Sequence, residues 1–268
     1  MSSDTAPIVL EAETIHVHYG DRPVVADLSL QLTQGTVTAL VGPNGSGKST
    51  LLKTMARLLV PSAGAIYLDG KAITGMASAT IAQRLAILPQ GPRAPEGLTV
   101  RELVEQGRYP HVGALRMLRQ QDHAAIREAL ALTDMERFSH RALDTLSGGE
   151  RQRAWIALAL AQATPLLLLD EPTTFLDIGH QLEVLELVRL LNRERGMTIA
   201  VVLHDLNQAA RYADRLVVLQ RGTIMSDGSP LTTLTPTILE QVFGVRAHII
   251  PDPETGAPMC VPYATIKA

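Results

Sequence analysis

Apolar and polar positions change rhythm several times along the chain, and each rhythm specifies an element. In the first forty residues, short apolar runs at 8–10, 15–19 and 28–32 are separated by polar or turn-forming residues, which predicts strands of a small antiparallel sheet. Residues 36–41 (TVTALV) are almost continuously apolar and rich in β-branched side chains, as a strand buried on both faces requires. A helix is expected after Lys48 (STLLKTMARLL), closed by Pro61-Ser62-Ala63-Gly64. Residues 65–68 read as a strand ending at the Asp69-Gly70 turn, and 85–88 as another, followed by Pro89-Gln90.

The pattern then turns helical. Residues 91–97 are loop-like, and Thr99 with Glu102 forms a capping-box pattern that opens a helix. From there to about Ala163 there is no strand signal, so a helical insertion is expected over about 91–163. Residues 166–169 and 198–203 are almost uniformly apolar and suit parallel strands buried on two faces. Between them, residues 178–194 carry a helical stripe at Leu182, Leu185, Val188 and Leu191. Residues 215–219 and 223–225 read as a hairpin across Arg221-Gly222. Pro236 occupies the first helical position after a Thr235 cap, Gly244 follows the helix end, and a last hairpin turns around 251–258. The expected organisation is an α/β core with an antiparallel β-subdomain and a helical insertion over residues 6–235, followed by a helix-and-hairpin extension over 236–268.

Composition narrows the function classes. A net charge of −3 argues against a general nucleic-acid binder, and 3% aromatics are too few for base-stacking platforms. Cys260 is the only cysteine, so no intrachain disulfide is possible, which suits a reducing compartment. The N-terminal residues MSSDTAPIVLEAE lack the basic and apolar regions of a signal peptide. The most apolar stretch, 154–169, is interrupted by Gln162, Thr164 and Pro165 and falls short of the ~20 residues of a spanning helix. The chain is therefore expected to be soluble by itself, with any membrane role arising through a partner.

The chemistry is concentrated in three motifs. Gly42-Pro43-Asn44-Gly45-Ser46-Gly47-Lys48-Ser49-Thr50 fits the phosphate-cradling pattern G-x-x-x-x-G-K-[ST]. Gly42, Gly45 and Gly47 let the backbone bend around phosphate oxygens, Lys48 adds a point charge, and the Ser49 hydroxyl suits Mg²⁺. The helix that follows aims its positive end at the same anion. Second, the apolar run 166–169 ends in Asp170 and Glu171. Asp170 at the strand end suits Mg²⁺, and Glu171, which points differently, suits orienting or deprotonating a water. Third, Leu146-Ser147-Gly148-Gly149-Glu150 precedes an apolar helix. Ser147 and Glu150 form a capping box, but a cap needs no paired glycines, whereas Gly148 and Gly149 permit close approach of an anion. A lone histidine such as His204 at the end of 198–203 is more often structural, but its sheet edge is that of the glycine-rich loop, where it would reach a γ-phosphate. Gln90 would reach the same edge, and a lone glutamine leaves its role open.

Together these residues resemble the nucleotide-binding subunit of an ABC transporter over almost the whole chain. GPNGSGKST resembles the Walker A loop, LLLLDE the Walker B strand and LSGGE the signature that separates this family from other P-loop ATPases. Gln90 matches the Q-loop glutamine, Thr174-Phe175-Leu176-Asp177 the D-loop, His204 the switch histidine and Tyr19 the aromatic that stacks on adenine. The resemblance implies ATP and Mg²⁺ as ligands, with Ser49, Gln90 and Asp170 serving the metal, Glu171 polarising the water and His204 sensing the γ-phosphate. It implies a head-to-tail pair of ATPase subunits, Ser147, Gly148 and Gly149 completing the partner's site. Glu150 stands where the family more often has Gln and is expected to turn back into its capping box.

The closer resemblance is to ATPases of bacterial ferric-siderophore importers, a group that also imports cobalamin and haem; the carriers are Gly107-Arg108-Tyr109-Pro110-His111, the run 173–195 and the ending Val242-Phe243-Gly244-Val245. It implies a peripheral subunit on the cytoplasmic face of the inner membrane, bound to two permease subunits, with a substrate-binding protein contributing indirectly. The alternatives are a cobalamin or haem importer and, in a different class, a non-transport ABC ATPase on DNA or ribosomes or a regulatory module. Those usually show paired cassettes, zinc-binding cysteines or basic tails, which this chain lacks.

Overall fold

The computed structural model describes residues 6–112 and 117–266. Part of the signal-peptide reading (1–5), four positions of the helical stretch (113–116) and the last two of the C-terminal extension (267–268) lie outside the described residues. The chain forms two compact units, one built from the residues up to Gly75 and from Gly196 onward, the other from Met76–Arg195.

The first unit opens with β1 (Ile8–Tyr19), β2 (Arg22–Thr33), β3 (Val37–Val41), α1 (Lys48–Met55), β4 (Ala63–Leu68) and β5 (Lys71–Ala72). Strands β2, β1, β4 and β5 form an antiparallel sheet in that order. The two apolar runs expected as separate strands are one strand, because the polar stretch between them is absorbed by a bulge. Ala12 pairs with Leu30 and Ile15 with Leu28, one residue out of step. Thr14 sits at φ 44, and its N–H donates to Ser29 Oγ at 2.9 Å. Asp69 and Gly70 both have positive φ, as a two-residue hairpin turn demands. Helix α1 stops at Met55, earlier than its apolar continuation suggests, because Arg57 turns left-handed at φ 57.

The second unit contains α2 (Ser78–Ala82), β6 (Leu85–Leu88), α3 (Val100–Gln106), α4 (Tyr109–Val112), α5 (Gln120–Leu132), α6 (Gly148–Ala161), β7 (Leu166–Asp170) and α7 (Ile178–Arg195). Strands β6 and β7 are parallel, Leu88 opposite Leu169. Helices α3, α5 and α6 share a core including Val100, Leu103, Ile126, Leu130 and Ala157. The Gly107-Arg108-Tyr109-Pro110-His111 segment ties this helical bundle together. A Cβ at Gly107 would lie 2.3 Å from the Leu158 carbonyl oxygen, so only glycine permits this approach to α6. Arg108 pairs with buried Asp122 at 2.9 Å and donates to the Ala161 carbonyl at 2.7 Å. The His111 ring meets the Gln162 carbonyl at 2.8 Å. On α7 the expected stripe is corrected: Leu185, Val188 and Leu191 are buried, but Leu182 is 38% exposed and Val184 takes its place inside. The 3.6-residue period brings 184, 188 and 191 onto one face as readily as 185.

The first unit resumes with β8 (Thr198–Val202), α8 (Leu206–Tyr212), β9 (Arg215–Gln220), β10 (Thr223–Gly228), α9 (Pro230–Thr233), α10 (Pro236–Phe243), β11 (Val245–Pro251) and β12 (Pro258–Thr265). β3 lies between β8 and β9, parallel to both, with Thr38 opposite Ala200 on one side and Arg215 on the other. Every residue of β3, β7 and β8 is buried, which explains their unbroken apolar runs. Thr235 caps α10, Pro236 starts it, and Gly244 at φ 66 ends it. The hairpin β11–β12 packs Ala247 and Cys260 against Leu239. The Asn207 side chain on α8 holds the Cys260 backbone on both sides, accepting from its N–H at 2.7 Å and donating to its carbonyl at 3.2 Å. Among the described residues no helix is long and apolar enough to cross a membrane.

Candidate active site

In the first unit the glycine-rich loop leaves the C-terminal end of β3. Gly42 adopts φ 147, and a Cβ there would lie 2.1 Å from the Leu219 carbonyl oxygen of β9. A side chain at 42 would therefore push the loop off the sheet. Gly47 takes φ 103 as the residue before α1, and no side chain caps that helix. A helix start without a side-chain cap suits an anion in the cap's place. Ser46 is buried, and Asn44 and Gly45 are exposed at the loop tip.

The Lys48 ammonium is buried and folds back onto the loop. It donates to the Gly42 carbonyl at 2.8 Å, the Pro43 carbonyl at 2.9 Å and Ser46 Oγ at 3.4 Å. These acceptors keep the cation solvated by the protein at the position where phosphate oxygens would compete for its protons. A brace outside the motif supports the loop: Gly222 N–H donates to the Ser46 carbonyl at 2.9 Å. A Cβ at Gly222 would lie 2.3 Å from the Val24 carbonyl oxygen. The sequence marks Gly222 only as a hairpin turn, because its second duty depends on chain segments far away in sequence.

His204 leaves the same sheet edge. Leu203 N–H donates to the Leu40 carbonyl at 3.1 Å, which sets the histidine beside the exit of the loop strand. The following Asp205 is a helix cap, its Oδ1 accepting from the N–H groups of Asn207 and Gln208. Tyr19, 51% exposed, ends β1.

In the second unit Asp170, 1% exposed, ends β7, and Glu171 follows with φ 54. That left-handed backbone is rare for a side chain this large. Gln90 and Thr174 both bind one Glu171 oxygen: Gln90 Nε2 donates at 2.5 Å and Thr174 Oγ1 at 3.1 Å. Gln90 and Glu171 therefore come together, as parallel pairing of β6 and β7 dictates. The sequence marks Thr174 only as part of the D-loop match; its bond to Glu171 has a usable local signal, a hydroxyl three residues beyond a carboxylate in a turn. Within this unit Asp170 and Gln90 offer hard oxygens, the donor type that suits Mg²⁺.

The Ser147–Glu150 capping box forms as expected, with Ser147 N–H donating to Glu150 Oε2 at 2.8 Å and Glu150 N–H to Ser147 Oγ at 3.3 Å. The Ser147 backbone N–H holds the Glu150 carboxyl below its usual range. Gly148 is exposed and Gly149 buried. Asp177 stands before α7 and accepts from His180, at Oδ1 from the backbone N–H (3.0 Å) and at Oδ2 from ring Nδ1 (2.8 Å). The backbone bond and then the ring bond keep its pKa low.

The chain is similar to known proteins over most of its length. Residues 25–174 match the family model described as ABC transporter. The iron(3+)-hydroxamate import ATP-binding protein FhuC of Bacillus subtilis (strain 168) is 51% identical over 96% of this chain and 96% of its own. The ferric enterobactin transport ATP-binding protein FepC of Escherichia coli (strain K12) is 47% identical over 94% of this chain and 93% of its own. The dimeric post-hydrolysis structure of the ATP-binding cassette MJ0796, bound to ADP and Pi, superposes with a TM-score of 0.72 at 28% identity, covering 82% of this chain and 98% of that one.

Proposed function

The chain belongs to the ABC transporter family, and from that premise we propose that this ATP-binding, ATP-hydrolysing subunit drives import of a ferric siderophore through separate permease subunits. The observation that carries the catalytic part is the Glu171 carboxylate, held by Gln90 and Thr174 one residue beyond buried Asp170. So anchored, Glu171 accepts a proton from the water that attacks the γ-phosphate. Lys48 and the backbone of residues 42–50 hold the phosphates, Tyr19 stacks on the adenine, and His204 contacts the γ-phosphate. Ser49, Asp170 and Gln90 hold Mg²⁺, which when bound neutralises phosphate charge.

Two subunits act as a pair, expected to be two copies of this chain. Ser147, Gly148, Gly149 and Asp177 of one complete the nucleotide site of the other. Exposed apolar residues support an interface here, since Phe175 is 97% and Ile178 75% exposed. The catalytic domain spans 6–235, with the insertion over about 91–163 and the extension over 236–268. A groove of about 230 Å³, lined among others by Pro92, Pro95, Leu143, Arg151 and Trp155, joins the loop after Gln90 to the helical insertion and suits a helix of a permease. The subunit then sits peripherally on the cytoplasmic face of the membrane, and a substrate-binding protein delivers the cargo outside. Similarity to hydroxamate and enterobactin import subunits along nearly the whole chain supports the cargo.

The test pairs Glu171→Gln with uptake. The variant is expected to bind ATP, lose most turnover and accumulate as an ATP-bound dimer; full turnover would remove Glu171 from its role. A strain lacking the gene is expected to lose uptake of labelled ferric hydroxamate, while loss of cobalamin or haem uptake alone would overturn the cargo.

A further inference from the structure

His180 carries no function in the reading above, yet it touches two elements that do. Its ring packs against the signature helix start: a Cβ built on Gly149 would fall 2.3 Å from His180 Cδ2 and 2.6 Å from Cγ. The same ring donates from Nδ1 to Asp177 Oδ2 at 2.8 Å, while the His180 backbone N–H fixes Asp177 Oδ1 at 3.0 Å. One imidazole therefore joins the residue ending the D-loop to the second glycine of the signature. The contact gives position 149 a steric reason for glycine beside its part in the nucleotide site, since a methyl there would have to displace the ring. A Cβ built on Gly148 would meet no atom closer than Leu176 Cδ2 at 3.8 Å, so the crowding is specific to position 149.

We propose that His180 is a positioning residue, which locks Asp177 and the start of α6 into one rigid piece so that both reach the partner's nucleotide together. The inference rests on the reading that the signature and Asp177 complete a site in trans. A loosened lock leaves the P-loop able to bind ATP and weakens only the closed pair.

The experiment measures ATP-dependent dimerisation of the full chain in the Glu171→Gln background, by size exclusion over an ATP titration. His180→Ala is expected to raise the ATP concentration at half-dimerisation about tenfold. Nucleotide affinity measured below the dimerising protein concentration stays within twofold. His180→Asn, whose amide nitrogen replaces Nδ1, is expected to recover most of the loss. A His180→Ala titration matching the parent, or an Asn variant no better than Ala, would each overturn the proposal. If the Glu171→Gln parent never dimerises with ATP, the trans-site reading fails and the proposal with it; the other outcomes refute the proposal alone.

Discussion

Removing the Arg108 guanidinium is expected to be among the most damaging single changes to the second unit, although Arg108 lies outside every catalytic motif. Asp122 is 1% and Arg108 5% exposed. Burial by itself would raise the Asp122 pKa, but the Arg119 backbone N–H and the Arg108 guanidinium outweigh it and keep the carboxyl ionised below its ordinary range. Arg108→Ala leaves that carboxylate buried beside a lost partner and also strips the Ala161 carbonyl of its donor. Breaking a buried pair from one side costs about 3–5 kcal/mol. With a urea dependence of about 2 kcal/mol/M, the midpoint should fall by about 2 M. The single tryptophan, Trp155, packs against the same core and reports this unit's unfolding by fluorescence. Arg108→Met with Asp122→Leu should lose far less, because no charge is left buried. A midpoint shift below about 0.5 M for Arg108→Ala, or a double variant no more stable than the single, would refute this account of the pair.

Two further outcomes follow from the same kind of accounting. Glu150→Gln should flatten the acid side of the stability profile: the wild-type carboxylate, with its folded pKa below the ordinary 4.5, contributes fully above that pH and loses the contribution as pH falls through the lower folded value. Thermal melts of both proteins from pH 7 to 3 check this, and parallel profiles would contradict it. Asn207→Leu leaves the backbone of buried Cys260 without its side-chain partners, at about 1–3 kcal/mol, so local opening of the hairpin rises about 5- to 150-fold. Labelling of Cys260, the only cysteine, by a thiol reagent should accelerate accordingly, and an unchanged rate would contradict the role of Asn207.

What the sequence determined by itself was local. Continuous apolar runs identified the buried parallel strands, paired polar residues located the helix caps at Thr99 and Ser147, a threonine before proline located the cap at Thr235, and glycines placed the loop and the turns. Each of these depends on a few consecutive residues, so spacing suffices to read it. Tertiary structure decided which distant groups meet. It fused two apolar runs into β1 through a bulge paired to β2, exposed Leu182 in favour of Val184, and set Gly222 against Val24 as a brace for the phosphate loop. It joined Gln90 to Glu171 across 81 positions and turned the Arg108 segment from a family likeness into a buried ionic clasp. It also seated His180 on Gly149, thirty-one positions away along the chain (180 − 149). Such contacts follow from how sheets and helices pack, and the pattern along one chain carries no trace of a neighbour that only folding supplies.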